Sequence, residues 1–550
     1  MRERPDPNPA AGRPNVLVII ADQLRPDHLG FGGHPLVSTP HLDALAAEGV
    51  AFGNVHVTNP TCMPSRASLM TGRWPQQHGT RCNGLPLDPD VSTLPGDLAS
   101  CGYRTSAVGK LHHQNMGWDF EPEQREQIML SEPQLLEDCL PDARRPVRDA
   151  GWDRWEDSLL HSEQPVTMPG DYYGYQEVDL VVGHGDRPSG HYVHWARERG
   201  FDPLTDAGPQ RALDDHGGHW AQVYTSAVPA GLHPSAYVAE RTCARLEDHA
   251  ADGEPFFLFA SFPDPHHPFA PPAGYDRLYD PADVPVPDTF HQDHSDSPEH
   301  VRRMAERRGM PGEDPTMTWI ATEEQYRVAC AAELGLITLL DDQVGRILQT
   351  LERTGLAENT VVVFTSDHGD MFGDHGMMLK HFTHYRGVTN VPLVMRVPAG
   401  LPGAGVGISP AARTAASTAL VSNADLVPTL LELTGVSGHR GIQGRSLVPL
   451  LRGEASVHRR ALIVEEDQPF GLDGLPAPVH IRSVITPEAR YTRYFGTDAE
   501  ELYLLDSDPE EAHNLAARPG CEEVVDRMRQ LMLDELLALT DHGVRVRAAA

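Results

Sequence analysis

Pro14-Asn15-Val16-Leu17-Val18-Ile19-Ile20-Ala21-Asp22-Gln23 is the stretch whose reading decides the fold. Residues 16–20 are all apolar, and four of these five are β-branched. With no polar face, the run predicts a strand buried on both sides, as in the parallel sheet of an α/β protein. It stops at Asp22-Gln23, which puts a carboxylate at the carboxyl end of the strand, where open α/β sheets bind ligands. Outward from it, Thr39-Pro40-His41-Leu42 opens an amphipathic helix with Leu42, Leu45, Ala46 and Val50 on one face. A helix is expected over 65–71, closed by Gly72, then helix over 93–102 and a short strand over 104–109. Residues 256–260 read as a second buried strand, 271–315 as polar loop and 326–351 as a long helix. A β-branched strand over 360–364 leads into Asp367-His368-Gly369, and 424–433 is helical. The alternation predicts an α/β fold: a large mixed, mostly parallel sheet flanked by helices.

After Gly435 the pattern changes. Short strands at 461–464, 481–485 and 491–495 precede a helix over 522–539, which predicts a smaller α+β domain over 438–550. The expected organisation is a polar, Pro-rich tail at 1–13, a main domain at 14–437 and this C-terminal domain. The main domain carries an insertion around 115–234 that covers the sheet edge. At 550 residues with 40% hydrophobic and 22% charged content, the chain is long enough for both domains. The net charge of -33 argues against nucleic acid and anionic lipid as partners, though a small basic pocket can still hold an anion. Seven widely spaced cysteines without a CxxC resemble neither a disulfide framework nor a zinc ribbon. Residues 16–20 are too short a run for a signal or membrane segment, so a cytoplasmic protein is expected.

The chemistry concentrates in Thr61-Cys62-Met63-Pro64-Ser65-Arg66-Ala67-Ser68-Leu69-Met70-Thr71-Gly72-Arg73. An isolated cysteine is usually a small buried hydrophobe. Here Cys-x-Pro-x-Arg with Leu-Met-Thr-Gly-Arg behind it resembles the signature of type I, formylglycine-dependent sulfatases of the alkaline phosphatase superfamily. That resemblance implies an alkaline-phosphatase-like fold. It also implies that a formylglycine-generating enzyme oxidises Cys62 to an aldehyde. One oxygen of the hydrated aldehyde attacks sulfur, and the other later expels sulfate.

The resemblance further implies one divalent cation, with hard oxygen ligands suiting Ca²⁺ first and Mg²⁺ or Mn²⁺ as alternatives. Its expected ligands are Asp22, Gln23, Asp367, His368 and residue 62. Gly109-Lys110-Leu111-His112 resembles the family's Gly-Lys-x-His element: Lys110 bridges aldehyde and sulfate, and His112 orients the diol and helps remove its proton. Arg66, one turn from Cys62, is expected to fix the diol. Pro265-His266-His267-Pro268 resembles the Pro-His-x-Pro loop, making His266 the general acid. Lys380 is similar to the late sulfatase lysine, and Asn83 is a candidate substrate contact. The aromatic and histidine cluster from Tyr172 to Tyr192 lines the leaving-group side or forms a surface loop.

Gln23 stands where many sulfatases have Asp, and resembles the choline-sulfatase and phosphonate-monoester-hydrolase branches. Arg386 departs from the usual Glu after Tyr385. The expected activity is hydrolysis of a small-molecule sulfate monoester, as in an arylsulfatase. The alternatives are a phosphonate monoester or phosphodiester hydrolase, and a non-catalytic anion-binding relative with Cys62 unconverted.

Overall fold

The structure is a computed structural model that describes residues 12–137, 151–312, 314, 317–399, 416 and 418–544. The expected tail at 1–13, apart from Gly12 and Arg13, and part of the expected insertion lie outside the described residues.

Strand β1 (Asn15–Ala21) is fully buried, as its apolar run requires. Leu17 and Ile19 enter one core cluster, and Val16, Val18 and Ile20 enter another on the opposite face. The other strands of the main sheet are β2 (Val50–Phe52), β3 (Arg104–Gly109), β4 (Glu177–Val182), β5 (Ser189–Gly190), β6 (Phe256–Ser261), β7 (Thr360–Ser366) and β8 (Leu393–Arg396). They lie side by side in the order β2-β8-β7-β1-β6-β3-β4-β5. The central five, β7-β1-β6-β3-β4, are parallel, and antiparallel strands finish both edges. In the register, Val16 lies between Phe257 and Val361. All five carboxyl ends therefore open on one side of the sheet.

Helix α1 (Pro40–Glu48) and two long helices, α3 (Pro234–Asp252) and α4 (Glu323–Arg353), pack together against the face that carries Leu17 and Ile19. Helix α2 (Cys62–Thr71) lies against the other face through Ala67, Leu69 and Met70. It starts at Cys62, earlier than the expected 65, because Pro64 needs no backbone donor in a first turn. Gly72 closes it with φ 66°, in the left-handed region.

The segment read as a covering insertion contains β4, an integral strand of the sheet. Its acidic residues are paired: Arg104 and Arg245 hold Glu177, while Arg241 and Arg245 hold Asp179. The stretch read as loop at 271–315 includes a helix, Glu299–Glu306.

A second sheet is an antiparallel meander of β9 (Leu462–Gln468), β10 (Val479–Ile485), β11 (Ala489–Tyr494) and β12 (Glu500–Leu504). Helix α5 (Glu522–Ala538) covers it through Val525, Met528 and Met532. No helix among the described residues is long and apolar enough to cross a membrane.

Candidate active site

Each of the five parallel strands delivers a polar residue from its carboxyl end. Asp22 and Gln23 follow β1, Lys110 follows β3, His184 follows β4, His266 follows β6, and Asp367 and His368 follow β7. Cys62 comes in from the side at the first turn of α2, a helix buried along its whole length. The positive end of the helix dipole therefore faces the pocket.

Around Cys62 the distances are short. Its Sγ lies 3.1 Å from His368 Nε2 and accepts from Lys380 Nζ at 3.1 Å. Burial pushes the thiol pKa up, but Lys110, Lys380 and His368 outweigh it and bring the value down to about 7. Lys380 Nζ also reaches Gln23 Oε1, His266 Nε2 and His368 Nε2, each at 2.9 Å. Lys110 Nζ contacts both the Asp22 carboxylate and His184 Nε2.

Gly109 has to be glycine for Lys110 to sit there. Its φ is +102°, and a Cβ would stand 1.8 Å from the carbonyl oxygen of Ser261.

Arg66 directs its guanidinium to the strand ends. Nε donates to Asp367 Oδ2 at 2.7 Å, Nη2 to Asp22 at 3.4 Å, and Nη1 to the Lys110 carbonyl at 2.7 Å and Ser261 Oγ at 2.9 Å. It ties the carboxyl ends of four strands, β7, β1, β3 and β6, together. Asn83 Oδ1 accepts the backbone N–H of Met63 at 3.1 Å, at the start of α2. Beside it opens a cavity of about 140 Å³ whose walls are both apolar, with Leu85, Phe120 and Leu135, and charged, with Arg81, Glu132 and Asp467.

Four of the five residues expected to hold a cation fit one. Asp22, Cys62, Asp367 and His368 bring ligand atoms within 4.8 Å of one another. Asp22 Oδ1 is buried with no hydrogen-bond partner among the described residues. Burial resists ionisation of Asp22, but Lys110 and Arg66 hold its pKa well below the ordinary carboxylate range. His368 Nδ1 lies 2.9 Å from the Gly369 carbonyl, which leaves Nε2 facing the carboxylates. Burial disfavours charge on His368, yet Asp367 outweighs it and raises the pKa; the same negative field favours a metal ion.

The imidazoles divide into two sets. His266 Nδ1 is 2.5 Å from the His267 carbonyl, and its ring stacks on His184 at 3.7 Å. Burial, with His184 and Lys380 nearby, drives its pKa well down, so the ring is neutral and Nε2 faces the Lys380 ammonium. His267 Nδ1 lies 3.2 Å from Gln23 Nε2. His112 is held through its backbone N–H by Glu156 at 2.6 Å, and its buried Nδ1 has no partner among the described residues. Burial and Lys110 push its pKa well down.

The sequence reading had His184 only within a cluster of open role. The signal available was Gly183-His184-Gly185 directly after an alternating apolar run. Asp370, three residues beyond Asp367, was missed; its carboxylate accepts from Gln23 Nε2 at 2.5 Å.

A pocket with two lysines, a helix amino terminus and a carboxylate–imidazole cluster can clamp a tetrahedral oxyanion against a cation, the working arrangement of metal-assisted ester hydrolysis. Residues 14–124 and 188–436 match the Sulfatase family, and 373–537 match the N-sulphoglucosamine sulphohydrolase C-terminal family. The chain thus belongs to the sulfatase family of hydrolases, within the alkaline phosphatase superfamily. It is 27% identical to an arylsulfatase of Clostridium perfringens over 95% of this chain and 94% of that one. It is 28% identical to a multifunctional alkaline phosphatase superfamily protein of Trinickia caryophylli, over 96% of both. The solved phosphonate monoester hydrolase of Agrobacterium radiobacter superposes with a TM-score of 0.72 at 26% identity, over 97% of both chains.

Proposed function

We propose that the protein hydrolyses small-molecule sulfate monoesters, with residue 62 as nucleophile after a formylglycine-generating enzyme has oxidised its thiol. The observation that carries this reading is the meeting of Cys62 Sγ, Lys380 Nζ and His368 Nε2 within 3.1 Å at the buried start of α2. A divalent cation bound by Asp22, Gln23, Asp367, His368 and residue 62 supplies Lewis-acid polarisation of the sulfate, with Ca²⁺ the first candidate and Mg²⁺ or Mn²⁺ the alternatives. Lys110 and Lys380 balance the charge of the anion, and Arg66 keeps the strand ends in register.

His112 Nδ1, buried without a partner among the described residues, is the proposed acceptor of the nucleophile's proton. His266, whose Nε2 is held toward Lys380, is the proposed general acid for the leaving alcohol. Burial of the whole group excludes water and strengthens each of these interactions. The reading includes a cytoplasmic enzyme with a catalytic domain at 14–437 and a smaller domain at 438–550.

Gln23 and the likeness to a phosphonate monoester hydrolase favour a second reading, in which the same site cleaves phosphonate monoesters or phosphodiesters. Paired kcat/KM values on 4-nitrophenyl sulfate and on a 4-nitrophenyl phosphonate monoester separate the two. Preference for the sulfate by more than about tenfold is expected; the reverse preference would move the assignment to the second reading.

A further inference from the structure

Asp370 is buried and touches neither Cys62 nor Lys380 directly, yet three donors converge on it. Oδ1 accepts the backbone N–H groups of Phe372 at 2.8 Å and Leu379 at 2.7 Å, and Oδ2 accepts Gln23 Nε2 at 2.5 Å. It therefore joins the end of β1 to the residue immediately before Lys380.

The contact with Gln23 has a particular consequence. The two ends of a glutamine amide are nearly isosteric, and only their partners decide which end points where. Here Oε1 faces the Lys380 ammonium at 2.9 Å, and that ammonium also meets Cys62 Sγ and His368 Nε2. A flipped amide would set its oxygen against the Asp370 carboxylate and its NH₂ against an ammonium. A carboxylate at position 23 would present oxygen either way and would need no such lock.

We infer that Asp370 is a positioning residue that locks the Gln23 amide with its carbonyl oxygen toward the pocket shared by Cys62, His368 and Lys380. Gln23 and Asp370 together then supply a neutral oxygen ligand where one carboxylate would otherwise suffice. The inference rests on the reading of Gln23 as a cation ligand.

The test is calorimetric titration of the purified full-length thiol-form protein with Mn²⁺ alone, which needs neither conversion of Cys62 nor catalysis. Asp370→Asn keeps the Oδ1 acceptor and replaces Oδ2 with a donor, so Gln23 Nε2 loses its charged partner and keeps only the longer contact, 3.2 Å, with His267 Nδ1. Binding is expected to weaken about tenfold or more, the usual scale for a residue that orients a ligand. Gln23→Glu/Asp370→Asn exchanges the two polarities, keeps one hydrogen bond and one negative charge, and again turns oxygen to the pocket. It is expected to return to within about threefold of the wild-type affinity.

Unchanged affinity in Asp370→Asn, or an equal loss in the Gln23→Glu background, would overturn the inference while leaving the cation site intact. Failure of the wild type to bind Mn²⁺, Ca²⁺ or Mg²⁺ would overturn it together with the reading of the cation site. Should Asp370→Asn not fold, Gln23→Glu is compared with the double variant. The double variant should then bind more tightly, because two carboxylates no longer face each other; weaker binding would count against the lock.

Discussion

At Gly109 the backbone, more than any side chain, sets where Lys110 stands. The +102° φ and the Ser261 carbonyl 1.8 Å from a would-be Cβ leave no room for alanine without moving β3 or β6. Gly109→Ala is expected to lower kcat/KM by about a hundredfold or more, since small misplacements of a charged group in a preorganised site are costly. Steady-state kinetics check this; activity within about threefold of wild type would show that β3 can yield there. Individual residues were partly legible in the sequence. Asp22 and Asp367 could be read because each follows an apolar run that had to be a strand, and Lys110 because Gly109-Lys110-Leu111-His112 resembles a family element. Asp370 and Glu156 could not, because their partners, Gln23 and the backbone at His112, are set by tertiary folding.

Among the elements, β9 of the second sheet reaches into the site. Its Glu466 accepts the Phe382 N–H with both oxygens, at 3.1 and 3.0 Å, and lies 3.4 Å from His381 and from His384. Leu379, His381 and Phe382 all have positive φ, so the chain on either side of Lys380 is bent into a conformation that needs outside support. Burial raises the Glu466 pKa, but His381 and His384 beside the carboxylate outweigh it and take it from 4.5 to about 2. A lowered folded-state value means that the stabilisation is fully present above 4.5 and is lost as pH falls through about 2. Glu466→Gln is expected to cost on the order of 3 kcal/mol at neutral pH and to flatten the acid limb between these values. Urea unfolding over a pH series measures both; an unchanged acid limb would contradict the assignment. The strands β1, β6 and β7 were legible from apolar runs, and β3 as a short strand over 104–109. Strand β4 was not, because Glu177 and Asp179 look solvated until Arg104, Arg241 and Arg245 are brought alongside.

For the whole molecule, the site depends on contacts spanning most of the chain. Gln23 meets Asp367 and Asp370 across more than 340 residues, and Trp74 Nε1 donates to the Ile463 carbonyl at 2.9 Å to tie α2's end to the second sheet. Such closures give the site its rigidity and keep water out of it. They also explain why the sequence, which shows which strands end in polar residues, could not show His184 stacked on His266. The proposal that residue 62 is the nucleophile, acting only after oxidation, bears on every residue of the site. Its most direct test couples two readings on the same samples: the fraction of the Cys62 peptide carrying the aldehyde by mass spectrometry, and the initial rate on 4-nitrophenyl sulfate. The rate is expected to be proportional to the converted fraction when the formylglycine-generating enzyme is co-produced, and to stay at background for Cys62→Ala. Full activity in protein whose Cys62 remains a thiol, or in Cys62→Ala, would contradict it.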